Sequence, residues 1–181
     1  MLPNNKNIDN QNILELVRMF ADTWLSLDAY DKDNLETKGY TEKKVSLTAK
    51  KLSGNIEILK TELISKNEAS DLFARENKAE NLAGIIGNVM QAFGGRDLYA
   101  TIEEKAANLF YLIIKNYPFI DGNKRSGAYA FIWFLNQAKV LNTNKINPPA
   151  LTALTILIAE SHPKEKEKMI KIILTILGKR N

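Results

Sequence analysis

The sequence predicts an all-α fold in one domain, and three observations carry that prediction. Apolar residues recur at helical spacing through most of the 181 residues. No run of strict apolar and polar alternation marks a strand. Helix start and stop signals divide the apolar runs: Gly94-Gly95, Thr101 with Glu104, Asn147-Pro148 and His162-Pro163. A chain of this length can bury a sizeable core, and 45% hydrophobic against 25% charged residues is a globular composition.

Taken in order, Met1 to Gln11 is a polar lead-in. From Asn12 to Tyr30 the residues Ile13, Leu16, Val17, Phe20, Trp24 and Leu27 mark a helix, with Trp24 expected in the core. Asp28 to Gly39 is a polar connection. Thr41 is expected to cap a helix running to about Ser65, with Val45, Leu52, Ile56, Leu59 and Leu63 as its stripe. Glu68 to Arg75 is expected as a short helix. Leu82, Ile85, Ile86, Val89, Met90 and Phe93 mark an amphipathic helix that stops at Gly94-Gly95. Arg96, Asp97, Leu98 and Tyr99 then read as extended, which allows a small hairpin over residues 94 to 100.

Thr101 and Glu104 form a capping box for a helix reaching Asn116, apolar on most faces through Ala106, Leu109, Phe110 and Ile113. A second helix runs from Asn123 to Ala138 with Ala130, Phe131, Phe134 and Leu135 inward. Its small residues Gly127 and Ala128 permit close packing. These two helices are expected to form the buried centre of a core spanning about residues 68 to 138. Asn142 to Asn147 is a loop, Asn147-Pro148 opens a helix through Ala159, and His162-Pro163 opens the last. There Met169, Ile170, Ile173, Leu174 and Leu177 face inward, and His162 acts as a cap.

Several function classes are excluded or disfavoured by composition. There is no cysteine, hence no disulfide and no cysteine-ligated metal, and one histidine cannot build a histidine-rich metal site. A net charge of +4 suits an anionic ligand but is too small to argue for nucleic acid. The polar first residues do not resemble a signal peptide, and the longest apolar runs are too short to span a bilayer. A cytoplasmic location is the simplest expectation, with no membrane association.

One stretch carries chemistry: Tyr117-Pro118-Phe119-Ile120-Asp121-Gly122-Asn123-Lys124-Arg125. Pro118 ends one helix and Gly122 allows a left-handed turn. Asp121 is a good N-cap for the next helix. Gly122, Asn123 and Lys124 would then offer free backbone N–H groups at a helix N-terminus, an anion site. Lys124 and Arg125 add two cations where the helix dipole disfavours them, a cost that a bound anion would offset. Asp121 beside such a nest suggests a bridging divalent cation. An ordinary helix N-terminus with solvated basic residues is the bland alternative.

The stretch resembles the signature of the Fic/Doc (Fido) family, H-x-F-x-[D/E]-G-N-[G/K]-R, at every specified position except the first, where Tyr117 replaces His. The resemblance implies a Fic-type helical bundle with a flap hairpin, here Gly95, Arg96, Asp97, Leu98 and Tyr99, that binds a target segment by strand addition. An ordinary helix–helix loop is the alternative there. Asp71 onward, the Gly94 to Tyr99 segment and the tail from Ala159 to Ile173 are similar to the C-terminal module of RhuM-type virulence proteins. Nothing corresponds to the additional N-terminal region of those proteins, so the chain is expected to be either a fragment or a stand-alone relative.

By position, the resemblance implies ATP or another nucleoside triphosphate with Mg²⁺, and transfer of AMP or phosphate to a protein hydroxyl. Tyr117 takes the place of the general base, Phe119 fixes the loop, and Asp121 holds the metal. Gly122, Asn123 and Lys124 form the anion hole, and Arg125 clamps distal phosphates. Asn123 joins Tyr117, Asp121 and Arg125 in the implied catalytic set. Lys after Asn, and Ala128 where many members have a further Arg, lean toward the phosphate-transferring death-on-curing toxins. Phenols, with a pKa near 10, are poor bases at neutral pH, and loss of a general base typically costs about 10²- to 10⁴-fold in rate. Impaired transfer is therefore expected, the alternative being a non-catalytic nucleotide- or protein-binding module. Ser53 to Glu57 and Ser161 to Glu165 match the family's inhibitory helix only in part. The implied partners are a hydroxyl-bearing protein target and a separate antitoxin; a homo-oligomer stays open, and direct nucleic-acid binding is not expected.

Overall fold

The computed structural model describes Val17 and residues 23–178. The expected lead-in and most of the expected Asn12 to Tyr30 helix lie outside the described residues. The chain divides into two units, Met1–Leu35 and Glu36–Asn181. In the first, residues 23–31 are helical. Trp24 there is 59% exposed and Leu27 is exposed too, against the expectation of core positions. Helical periodicity marks which face is apolar but says nothing about what covers it.

The second unit holds α1 (Ala49–Ser65), α2 (Asn81–Val89), the strands β1 (Ala92–Phe93) and β2 (Arg96–Asp97), and α3 (Ile102–Asn116). It continues with α4 (Asn123–Gln137), α5 (Pro148–Glu160), a 3₁₀ turn (Pro163–Glu165) and α6 (Lys166–Leu177). The architecture is all-α with one two-stranded antiparallel sheet, as the sequence predicts.

At the centre, α3 packs most extensively on α4, then on α6 and α2. Both central helices are apolar where they meet. The rings of Phe110 and Phe131 stack with centroids 4.7 Å apart. Close approach depends on Gly127, because a Cβ there would stand 2.9 Å from Ile114 Cγ1. The core runs beyond the expected 68 to 138 span, from Leu47, Leu52 and Ile56 to Ile158, Met169 and Ile173.

Local caps form where the sequence places them. Thr101 and Glu104 make the capping box of α3, Asn147 accepts from the Ala150 N–H, and His162 Nδ1 accepts from the Lys164 N–H. Three expectations fail for tertiary reasons. Thr41 caps no helix: its N–H and hydroxyl both donate to the Glu103 carboxylate, at 3.0 and 2.7 Å, and α1 starts later, capped by Thr48. Burial alone would raise the Glu103 pKa, but the Thr41 hydroxyl and backbone N–H groups, including those of Thr41 and Tyr40, hold it below its usual value.

Glu68 to Arg75 is not a helix but a run of turns whose backbone pairs with the motif loop. Finally, α2 ends at Val89 rather than at the glycine pair. Gly94 and Gly95, with φ of +56° and +78°, instead form the tip of the hairpin, pairing Phe93 with Arg96 and Ala92 with Asp97. Two positive-φ residues at a hairpin tip match the twist of the flanking strands. The hairpin thus begins two residues earlier than the 94 to 100 span, and Phe93, expected inward on the helix, is 68% exposed.

Candidate functional site

The site is the turn between the two central helices. Tyr117 ends α3 in a left-handed conformation, φ +49°, and Gly122 starts α4 in another, φ +82°. Between them the chain lies against residues 73–77, which sequence reasoning missed as part of the site. The Ala74 N–H donates to Asp121 O at 2.9 Å, and the Ile120 N–H to Arg75 O at 2.8 Å. The Asn77 N–H donates to Pro118 O at 3.0 Å, and Asn77 Nδ2 to Tyr117 O at 2.6 Å. The signal was there in part: Phe73 is an aromatic in a polar run that shows no helical period. It is fully buried beneath the loop.

Phe73 also dictates the residue at 122. A Cβ on Gly122 would lie 2.4 Å from its ring, and the positive φ independently favours glycine. Phe119 is buried, as the resemblance implies. Asn123 folds its side chain back onto Phe119, accepting from its N–H at 2.9 Å and donating to its carbonyl at 2.8 Å. Its amide therefore closes the loop, and its backbone N–H belongs to the first turn of α4.

Asp121 does not cap α4. The N-cap is Gly122, with no side-chain cap bond, and Asp121 Oδ1 accepts from the Gly122 N–H at 2.6 Å. The left-handed turn at Gly122 takes the Asp121 side chain away from the first-turn N–H groups. Those groups consequently lack a side-chain acceptor, which leaves the N-terminus of α4 open to an anion.

Around this N-terminus stand the charges. Arg125 donates to Glu68 O at 3.0 Å and to Asp121 Oδ2 at 3.3 Å, and its guanidinium lies 4.7 Å from the Phe73 ring centroid. Lys124 is exposed. A recess of about 240 Å³ opens beside them, walled by Lys124 and Arg125 on one side and by Leu151, Thr155 and Ile156 of α5 on the other. Tyr117 is 55% exposed. A further recess of about 230 Å³ adjoins Pro118, with the amides of Asn81, Asn88 and Asn116 in its walls.

As a metal site the loop offers one carboxylate, Asp121, and no group of three or more acidic, His or Cys residues occurs among the described residues. That donor set suits Mg²⁺ held largely by phosphate oxygens, since this ion commonly takes one or two carboxylates plus substrate phosphates and water. It does not suit a metal held by protein alone.

The residues expected to form a flap precede the N-terminus of α3, whereas the loop follows its C-terminus. Gly95, Arg96 and Asp97 are in the hairpin, Leu98 is exposed just after it, and Tyr99 is partly buried. Asp97 is held to α3 by Lys105, whose side chain is 3% exposed and whose ammonium lies 2.6 Å from Asp97 Oδ2. Among the described residues, no hydrogen bond or ion pair joins the hairpin to residues 117–125.

No helix among the described residues is long and apolar enough to cross a membrane. Comparison with curated proteins finds no significant match, and neither does comparison with solved structures. Residues 51–135, which contain the hairpin, α3, the loop after it and all but the end of α4, match the model of the Fic/DOC family, and this supports a Fic/Doc domain over that stretch.

Proposed function

We propose that the loop from Tyr117 to Arg125 binds ATP with Mg²⁺ and serves transfer of AMP or phosphate to a protein hydroxyl, with transfer impaired by Tyr117. The observation that carries this reading is the uncapped N-terminus of α4, flanked by Lys124, Arg125 and the Asp121 carboxylate. The backbone N–H groups of Asn123 and Lys124 receive phosphate oxygens, and Lys124 supplies a positive charge to them. Asp121 would hold a divalent cation there, and that ion would supply positive charge to the phosphates. The recess toward Leu151 and Ile156 has the apolar wall that suits a base or ribose.

For transfer, the target oxygen forms a bond to phosphorus as a P–O bond breaks, releasing pyrophosphate when AMP is transferred or the nucleoside diphosphate when phosphate is, and a base takes the hydroxyl proton. Tyr117 occupies the base position, and phenols fill that role poorly near neutral pH. That substitution favours the second reading, a nucleotide-binding module without transfer. The target, an antitoxin partner, a relationship to RhuM-type proteins and a cytoplasmic setting belong to the same proposal.

Calorimetry with ATP and Mg²⁺ tests it on the chain and on Lys124→Ala and Arg125→Ala. Micromolar binding, about −8 kcal/mol, that weakens in both variants supports the phosphate site. Absence of binding overturns it. Tyr117→His then separates the readings: gained transfer supports the enzyme, and continued silence the binding module.

A further inference from the structure

A separate cavity, of about 350 Å³, lies toward the opposite end of α3 from the motif loop, between the first turns of that helix, Thr37, Tyr99 and α6. Its residues differ in kind from those of the motif. Ile170 and Leu174 of α6 form an apolar wall. Two cations, Lys166 and Lys171, and two carboxylates, Glu104 and Glu167, share the rim. Tyr99 supplies an aromatic edge.

One side chain points to a ligand. Asn108 is 3% exposed and lines this cavity. Its Nδ2 donates to Glu104 O at 3.0 Å, but its amide oxygen takes no donor among the described residues. That oxygen is not sealed in the core, where Ser126 Oγ alone is buried without a partner among the described residues. It opens on the cavity. An amide oxygen with two lone pairs, on a side chain whose Nδ2 is already engaged, offers a donor in the cavity a fixed point of attachment. Lys166 points the same way from α6: its ammonium sits 5.9 Å from the Tyr111 ring centroid, and burial holds its pKa below the usual lysine value. An anionic group in the cavity would offset that cost by favouring the charged ammonium.

We infer that this cavity binds a small zwitterion with an apolar arm, of the amino-acid type. Its ammonium donates to Asn108 Oδ1 and lies near Glu104, its carboxylate meets Lys166, and its side chain lies on Ile170 and Leu174. The volume is that of a small-molecule site, and the balanced charges suit a zwitterion better than a polyanion.

The test is a two-dimensional amide NMR titration of the full chain with L-leucine and L-phenylalanine. Leucinamide, which lacks the carboxylate, and 4-methylpentanoate, which lacks the ammonium, serve as controls. The expected result is saturable shifts at Tyr99, Asn108, Lys166 and Leu174 below about 10 mM with at least one amino acid. Each control and each of Asn108→Leu and Lys166→Met should weaken the affinity at least about tenfold. Lys166→Met, at a partly exposed position, keeps the test valid if Asn108→Leu fails to fold. No saturable shift with either amino acid overturns the inference. So does equal binding of both controls, or binding unchanged in Lys166→Met. These amides are separate from Lys124 and Arg125, so the result is independent of whether the chain binds ATP.

Discussion

The side chain of Asn123 makes two hydrogen bonds to the backbone of Phe119, one to its N–H and one to its carbonyl, so that an amide side chain pairs with the loop as a neighbouring strand would. This gives Asn123 a role that precedes any chemistry. Replacing it with Ala leaves both Phe119 groups without their partner in a partly buried place, at a cost of about 1–3 kcal/mol. Asn123→Asp keeps the acceptor and loses the donor, so it should fall between. Urea denaturation ranks the three proteins. If Asn123→Ala were as stable as the parent, the loop would not depend on this pairing.

Gly122 and Phe73 make a second constraint on the same turn. Gly122→Ala meets both a positive φ and a ring 2.4 Å from the new Cβ. Strain of this type costs about 1–3 kcal/mol. Phe73→Leu removes the ring but not the φ, so the double variant should recover part of the loss relative to the sum of the singles. A thermal-unfolding cycle measures the coupling; strict additivity would mean that the ring and the turn do not meet.

The hairpin has its own electrostatic anchor. The Lys105 ammonium, by hydrogen bond and by charge, holds the Asp97 carboxyl below its usual pKa. A lowered folded pKa means that the tether is present above the unfolded value, about 4, and is lost as pH falls through the folded value. Carboxyl carbon NMR should therefore give Asp97 a midpoint below that of an ordinary aspartate. Lys105→Gln should return it to the ordinary range, and the hairpin amides should shift over the same acid window. A normal Asp97 midpoint in the parent would remove the tether from the account.

What the sequence made legible was mostly local. Thr101 with Glu104, Asn147 and His162 cap the elements that follow them because their partners lie two or three residues away. Thr41 and Asp121 have the same cap-forming chemistry, yet the Thr41 hydroxyl goes to Glu103 and the Asp121 carboxylate to Gly122 and Arg125. Intrinsic preference could not reveal those competing partners. The glycine pair was ambiguous for a similar reason: it stops a helix or turns a hairpin, and the pairing of Phe93 with Arg96 decides which. The support from residues 73–77 is non-local backbone pairing, which leaves little trace in side-chain pattern. The motif itself was legible as a unit, but its residue types could not tell that the Asn123 amide points into the loop.

Ser126 stands one turn into α4, fully buried, with a hydroxyl that finds no hydrogen-bond partner among the described residues. A buried polar group without a partner carries a desolvation cost. Ser126→Ala removes the hydroxyl while keeping the Cβ and favours the helix. The expected gain is about 1 kcal/mol, read as a higher midpoint of thermal unfolding. A clear loss of stability would mean that the hydroxyl is held by a partner, such as an ordered water.

Asp121 offers a way to separate folding from the proposed metal role. Its carboxylate is half exposed, and its pair with Arg125 at 3.3 Å is a surface contact of the kind worth at most about 1 kcal/mol. Its backbone carbonyl, which accepts from Ala74, survives any side-chain change. Asp121→Asn should thus cost little stability and should free Arg125 for phosphate. ATP binding in the absence of Mg²⁺ should be equal to or tighter than in the parent, because a negative charge beside the phosphates is gone. The added affinity that Mg²⁺ confers should shrink by about tenfold or more, since the cation loses its only carboxylate in the loop. Calorimetry with and without Mg²⁺ gives both numbers. An undiminished Mg²⁺ dependence in Asp121→Asn would show that the ion is held elsewhere.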